Sequence, residues 1–251
     1  MIRVILHGCG GRMGRMISDL AKEDKDIIIT AGVDLRDDIS AAYPVYKSVS
    51  EVKEVADVVI DFSTSEAADD LLKCCEEKKL PLVICTTGLS DEQLAAVNKL
   101  SQKVPVLRSG NMSLGINTLI KVLKEAAPIL TAAGFDVEII EKHHKHKIDA
   151  PSGTALMLAD AVKKASSAEY DYVYDRTGRR EERPENEIGI SSVRGGSIPG
   201  DHEVIFAGAD EVISFSHRAY SRAVFGKGAI AAAKFLKDQK AGMYDMGNVV
   251  E

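Results

Sequence analysis

The sequence predicts an α/β protein: a doubly wound parallel sheet at the N-terminus, plus an inserted α+β domain with a mixed, largely open sheet. Three observations predict it. Short β-branched runs alternate with amphipathic stretches through the first half of the chain. A glycine-rich turn separates the first such run from the first amphipathic stretch. Beyond residue 187 the texture changes to alternating apolar and polar residues.

Strand runs lie at 2–7, 27–34, 56–63, 82–86 and 104–108, with helical patterns at 12–22, 65–79 and 90–101 between them. Near-continuous apolar strands alternating with helices imply a parallel sheet covered on both faces. A longer helical pattern starts at Ser113, a candidate N-cap, with Pro128 near its end. The apolar run 137–140 leads into Glu141-Lys142-His143-His144-Lys145-His146-Lys147. Pro151 breaks the chain, and Ser152 is placed to cap a helix through 154–165. After a polar loop at 175–187, the segments 188–193, 203–207 and 212–215 alternate like strands of an antiparallel or mixed sheet. The pattern 223–237 reads as a helix returning to the first domain. The expected domains are therefore 1–112 with 223–251, and an inserted 113–222.

Composition narrows the function. The net charge of −6 argues against a nucleic-acid or membrane partner, and no apolar run reaches the roughly 20 residues of a membrane span. The N-terminal apolar run passes straight into glycines, unlike a signal peptide. Cysteines stand at 9, 74, 75 and 85 without a zinc spacing, which reads as free thiols in a reducing, cytoplasmic setting.

The turn Gly8-Cys9-Gly10-Gly11-Arg12-Met13-Gly14 follows G-x-x-G-x-x-G. Glycines let the backbone approach a pyrophosphate, and the following helix aims its N–H groups at the anion. Asp34 closes the next strand 20 residues after Gly14. Together they predict dinucleotide binding in a Rossmann-type domain. Asp34 accepts from an adenosine ribose and so favours NADH. It would repel a 2′-phosphate by roughly 1–4 kcal/mol at about 4 Å. Arg36 and Arg12 are close enough in sequence to offset that repulsion, so NADPH stays open. Two strand ends, Cys85-Thr86-Thr87-Gly88 and Ser109-Gly110-Asn111-Met112, offer small and hydroxyl residues where a nicotinamide would lie.

The histidine-rich motif has several readings. A metal is disfavoured, because His143 would point away from His144 and His146 on a strand and the interleaved lysines repel a cation. No aromatics interleave to support nucleic-acid binding, and a solvated charged loop is the ordinary alternative. Proton transfer accounts for more of the residues. Histidine titrates near neutrality, lysine supplies positive charge, and Ser152-Gly153-Thr154 opens a helix whose amides bind a carboxylate. On an extended strand His143 and Lys147 would stand about 13 Å apart, too far to serve one small ring. The chain must therefore curl after His144 if both act together.

The sequence resembles the dihydrodipicolinate reductase family along nearly its whole length. The resemblance lies in the glycine loop at 8–14, Val59-Ile60-Asp61-Phe62-Ser63, Thr86-Thr87-Gly88, Asn111, the motifs 141–147 and 149–155, Val193-Arg194-Gly195-Gly196, and Tyr244-Asp245-Met246. It implies NAD(P)H-dependent reduction of a small cyclic dicarboxylate, with loss of water, in lysine and diaminopimelate biosynthesis, by a homotetramer that needs no metal. It also implies His143 as general acid, Lys147 as second donor, and His144, Gly153 and Thr154 as substrate-carboxylate contacts. Cofactor contacts would be Gly8, Cys9, Gly10, Gly11, Arg12, Met13, Asp34 and Arg36, with Cys85, Thr86, Thr87, Ser109, Gly110, Asn111 and Met112. Cys85 and the stretch 109–112 depart from the family's usual residues on the nicotinamide side. The alternatives are another two-domain reductase for a different imine or oxo-acid, and a non-catalytic NAD(H) sensor. The sensor gives no reason for His143, Lys147 and Gly153-Thr154 to coexist.

Overall fold

A computed structural model describes residues 1–166 and 169–250. Its chain divides into two units, Met1–Leu114 with Ala223–Glu251, and Gly115–Arg222.

The first unit contains β1 (Ile2–His7), α1 (Arg12–Glu23), β2 (Ile27–Val33), β3 (Val45–Tyr46), β4 (Val58–Asp61), α2 (Ala68–Lys78), β5 (Leu82–Ile84), α3 (Asp91–Ser101) and β6 (Pro105–Arg108). Then α4 (Leu114–Ala132) leads into the second unit: β7 (Asp136–His143), α5 (Gly153–Ala165), β8 (Asp171–Val173), β9 (Glu187–Arg194), β10 (Asp201–Ala207) and β11 (Val212–Arg218). The chain returns to the first unit through α6 (Ala223–Leu236), β12 (Gly242–Tyr244) and α7 (Met246–Val249).

In the first unit seven parallel strands run in the order β12-β6-β5-β4-β1-β2-β3. The apolar strands alternate between two cores. Val4, Leu6, Ile60, Val83 and Leu107 pack with residues of α1 and α6. Ile5, Val59, Leu82, Ile84 and Val106 pack with residues of α2 and α3. Strand order reverses at β1, whose neighbours are β2 and β4. A doubly wound sheet opens a crevice at such a reversal, outside the carboxyl ends of the strands. The glycine loop and the Asp61–Ser63 turn sit at those ends.

The second unit is a mixed sheet ordered β11-β10-β7-β9-β8, with β7 parallel to β9 and antiparallel to β10. Residues of α4 and α5 pack on one face, against Val137, Ile139, Ile188, Ile190, Val204 and Phe206. Among the described residues, the other face carries no helix. Val193 and Val212 on it are 45% and 62% exposed. The polar loop is tied down by arginines: Arg176 donates two bonds to Glu138 (3.0 and 2.7 Å), and Arg183 donates a third (3.0 Å).

Most departures from expectation are short elements. β3, β8 and β12 span two or three residues, too few to show a period. Pro128 lies inside α4, which continues to Ala132. There it removes the bond to the Lys124 carbonyl and its ring crowds that oxygen, a cost the rest of the helix outweighs. β7 reaches His143, so the strand extends into the histidine motif rather than stopping at 140.

Candidate active site

Each unit holds some of the expected site residues. In the first, the glycine loop is shaped by contact. A Cβ on Gly8, at φ +78°, would lie 2.5 Å from the Phe62 carbonyl oxygen, and one on Gly14 would lie 2.3 Å from the Gly8 oxygen. These glycines cannot be exchanged without moving backbone. α1 starts immediately after Gly11, and no side chain caps it, so its first amides face the loop unclaimed by a capping group.

Asp34 Oδ2 accepts from the Gly10 amide at 2.9 Å. Arg36 donates to Asp34 through Nε and Nη2, each at 3.1 Å. Burial disfavours the Asp34 charge, but the Arg36 bonds outweigh it and hold the carboxyl below its usual range. A cavity of about 460 Å³ runs alongside, lined among others by Gly8, Gly11, Asp34 and Arg36. Loop glycines, uncapped amides and a carboxylate beside a cavity suit a dinucleotide.

The remaining expected cofactor residues divide. Arg12 and Thr87 are exposed, and Met13 is half-buried. Cys9 and Met112 are buried in the core, which leaves only their backbone for a ligand. Burial raises the Cys9 thiol to about 11. The Thr86 hydroxyl donates into the protein, to Asp61 Oδ2 at 2.6 Å. Burial, with Asp61 behind it, pushes the half-buried Cys85 thiol well up. Ser109 donates to the Asn111 carbonyl (3.1 Å) and Asn111 Oδ1 accepts from the Ser113 amide (2.8 Å), so this turn is braced internally.

The second unit assembles the histidine motif around Glu141. Alternation along β7 buries Val137, Ile139, Glu141 and His143 in turn, so the core-facing side of the strand becomes polar at its last two positions. Glu141 is fully buried. Arg194 grips it bidentately (2.8 and 2.7 Å), and the Ser152 amide donates at 3.1 Å. His143 Nδ1 lies 2.6 Å from Glu141 Oε2. Burial opposes the Glu141 charge, yet the Arg194 and His143 bonds hold the carboxyl at about 2. A carboxylate only accepts, so the proton of this bond is on Nδ1 and Nε2 is left for chemistry. Gly200 keeps that nitrogen clear, since a Cβ there would lie 3.0 Å from Nε2. Burial lowers the His143 pKa, with Glu141 pulling the other way.

The chain does curl after His144: the Lys147 amide donates to the His144 carbonyl at 3.1 Å, closing a turn at the strand end. Lys147 Nζ donates to Asp149 at 2.8 Å, and this bond is the main cause of that carboxyl's lowered pKa. His144 Nδ1 is buried without a partner. Ser152 caps α5, its Oγ accepting from the Ala155 amide at 3.1 Å and meeting His202 Nε2 at 2.9 Å. The His202 ring stands edge-on to that of His143, centroids 5.1 Å apart. Among the described residues no group of three or more His, Cys, Asp or Glu is placed to hold a metal ion.

Glu141, Arg194, His202 and Gly200 received no individual role from the residue pattern. For Glu141 a signal was there, an acidic residue in phase with Val137 and Ile139. For Arg194 and His202 the contacts span 53 and 50 residues and leave no local trace.

Known proteins match both halves of the chain. Residues 2–112 match the N-terminal part of dihydrodipicolinate reductase and residues 115–250 its C-terminal part. The 4-hydroxy-tetrahydrodipicolinate reductase of Caldanaerobacter subterraneus subsp. tengcongensis is 54% identical over 251 residues, covering 100% of this chain and 99% of the relative. That of Clostridium tetani is 47% identical, covering 98% and 96%. The structure of a dipicolinate-bound dihydrodipicolinate reductase from Paenisporosarcina sp. TG-14 superposes with a TM-score of 0.82 at 27% identity, covering 99% of both chains. An amine dehydrogenase from Mycobacterium smegmatis (TM-score 0.64, 11% identity, covering 98% and 95%) shares the fold. With both halves matched and such identities along its length, the chain belongs to the 4-hydroxy-tetrahydrodipicolinate reductase (dihydrodipicolinate reductase) family of NAD(P)H-dependent oxidoreductases.

Proposed function

We propose that the protein reduces 4-hydroxy-tetrahydrodipicolinate to tetrahydrodipicolinate with His143 as proton donor, in lysine and diaminopimelate biosynthesis. The observation that carries the residue assignment is the Glu141-held imidazole with Nε2 left clear beside Gly200. Water leaves the substrate, one hydride and one proton add to the conjugated ring, and NAD(P)⁺ is released. The bound coenzyme supplies the hydride.

The protein's own groups do the rest. Glu141, fixed by Arg194 and the Ser152 amide, keeps the His143 proton on Nδ1 and the ring in place. Protonated on Nε2 as well, His143 delivers a proton to the ring, worth about 10²–10⁴-fold in rate. Its lowered pKa makes it a ready donor, and a dianionic substrate would raise it again on binding. Lys147 serves as second donor and brings positive charge to the anionic substrate, while Gly153, Thr154 and His144 take its carboxylates. The donor set suits them, because Asp149 already places a carboxylate on Lys147 with a smaller pull from the Gly153 amide. The Paenisporosarcina relative, solved with the planar dicarboxylate dipicolinate, supports this substrate class.

Asp34 favours NADH through the adenosine ribose. Arg36, already turned toward that position, would pair with a 2′-phosphate, so both coenzymes are used with NADH ahead. The helix-free face of the second sheet is assigned to assembly as a homotetramer, and the coenzyme supply to the cytoplasm. Steady-state kinetics with each coenzyme, on substrate generated in situ, tests the reading. Turnover with both and a higher kcat/KM for NADH is expected; turnover only with other imines or oxo-acids would contradict it.

A further inference from the structure

Beneath the glycine loop lies a polar cluster with no task in the reading above. Asp61, at the carboxyl end of β4, is fully buried. Its Oδ1 meets His7 Nδ1 at 2.9 Å and the Ser63 amide at 3.0 Å, and its Oδ2 accepts from the Thr86 hydroxyl at 2.6 Å. Burial opposes the charge, but the His7 bond leads the contacts that hold the carboxyl below its usual range. A carboxylate only accepts, so His7 donates through Nδ1. The ladder places His7 directly opposite Asp61, and the next residue is Gly8. His7, 7% exposed, lines the same cavity as Gly8, Gly11, Asp34 and Ser63. A buried polar pair of this kind is weak evidence of a stabilising role.

We propose that His7 is a coenzyme-binding residue. Asp61 fixes the ring through Nδ1, and Nε2 is presented to the phosphate–ribose backbone of the dinucleotide at the base of the glycine loop. The arrangement parallels the carboxylates that orient metal-ligating histidines by holding their second nitrogen. Thr86, bonded to the same carboxylate, ties the turn after β5 to this residue.

The proposal rests on the dinucleotide reading of this cavity, and calorimetric titration with NADH and with ADP-ribose, which lacks nicotinamide, separates the two. His7→Asn keeps an amide donor for Asp61 and deletes the nitrogen at the cavity. It is expected to retain the wild-type melting temperature while weakening both ligands about tenfold, the worth of one bond to a charged group. Wild-type affinity in His7→Asn for both ligands overturns the role. Should His7→Asn not fold, His7→Gln, whose amide reaches the Nε2 position, is compared with His7→Ala. Recovery of most of the affinity in His7→Gln supports the proposal; equal losses in both variants mark a packing residue and overturn it. A wild-type protein that fails to bind ADP-ribose contradicts the cavity reading, and His7 with it.

Discussion

Glu141 shows how one side chain joins two neighbouring sequence motifs. Its carboxylate takes His143 from the first and the Ser152 amide from the second, with Arg194 neutralising it. Removing the carboxylate charge withdraws the influence that raises the His143 pKa. Glu141→Gln should therefore shift the alkaline descending limb of kcat/KM toward lower pH, as read from a pH–rate profile. His202 makes a stability prediction. Burial, reinforced by the neighbouring His143, lowers its pKa to about 4, and its Nδ1 has no partner to share a charge. A depressed histidine keeps full stability above the unfolded value near 6.5 and loses it as pH falls toward the folded one. Stability should drop by roughly 3 kcal/mol between pH 6.5 and about 4 on this account. Chemical denaturation of His202→Gln across that window should show a shallower decline.

At the scale of elements, two helix starts are assigned the binding chemistry. α1 opens on glycines that leave no room for a Cβ, and Gly14→Ala would drive a methyl into the Gly8 oxygen. It should displace the loop and abolish measurable NADH binding in a fluorescence titration. α5 opens on Ser152, whose hydroxyl caps the helix and touches His202. Ser152→Ala should cost about 1 kcal/mol for the cap alone. It should also raise KM for the substrate more than for the coenzyme, because it loosens the amides assigned to the carboxylate. β7 was legible only in part. Its apolar run 137–140 is plain, while the buried Glu141 depends on Arg194, 53 residues away, and the His143 ring packs on the distant His202.

For the whole molecule, the doubly wound sheet was readable because its strands are apolar on both faces, as Val4, Ile5 and Leu6 divide between opposite cores. The inserted unit was readable from its alternating strands at 203–207 and 212–215. Its strand order was not, since the parallel β7–β9 pairing bridges the long polar loop. The glycine loop and Asp34 were legible because close backbone approach leaves a local signature. Arg194, His202 and Asp61 were not, because their meaning lies in what they touch. Assembly belongs to this scale as well. If the proposed homotetramer forms through the helix-free sheet face, Ile205→Asp, which places a charge there, should shift the sedimentation profile to smaller species.

His143, held by Glu141, is proposed to deliver the proton. Its most direct test is single-turnover and steady-state kinetics of His143→Gln alongside substrate-analogue affinity, with dipicolinate as the analogue. A loss of about 10²–10⁴-fold in kcat is expected, with dipicolinate affinity nearly unchanged. A loss below about tenfold with affinity intact would contradict it.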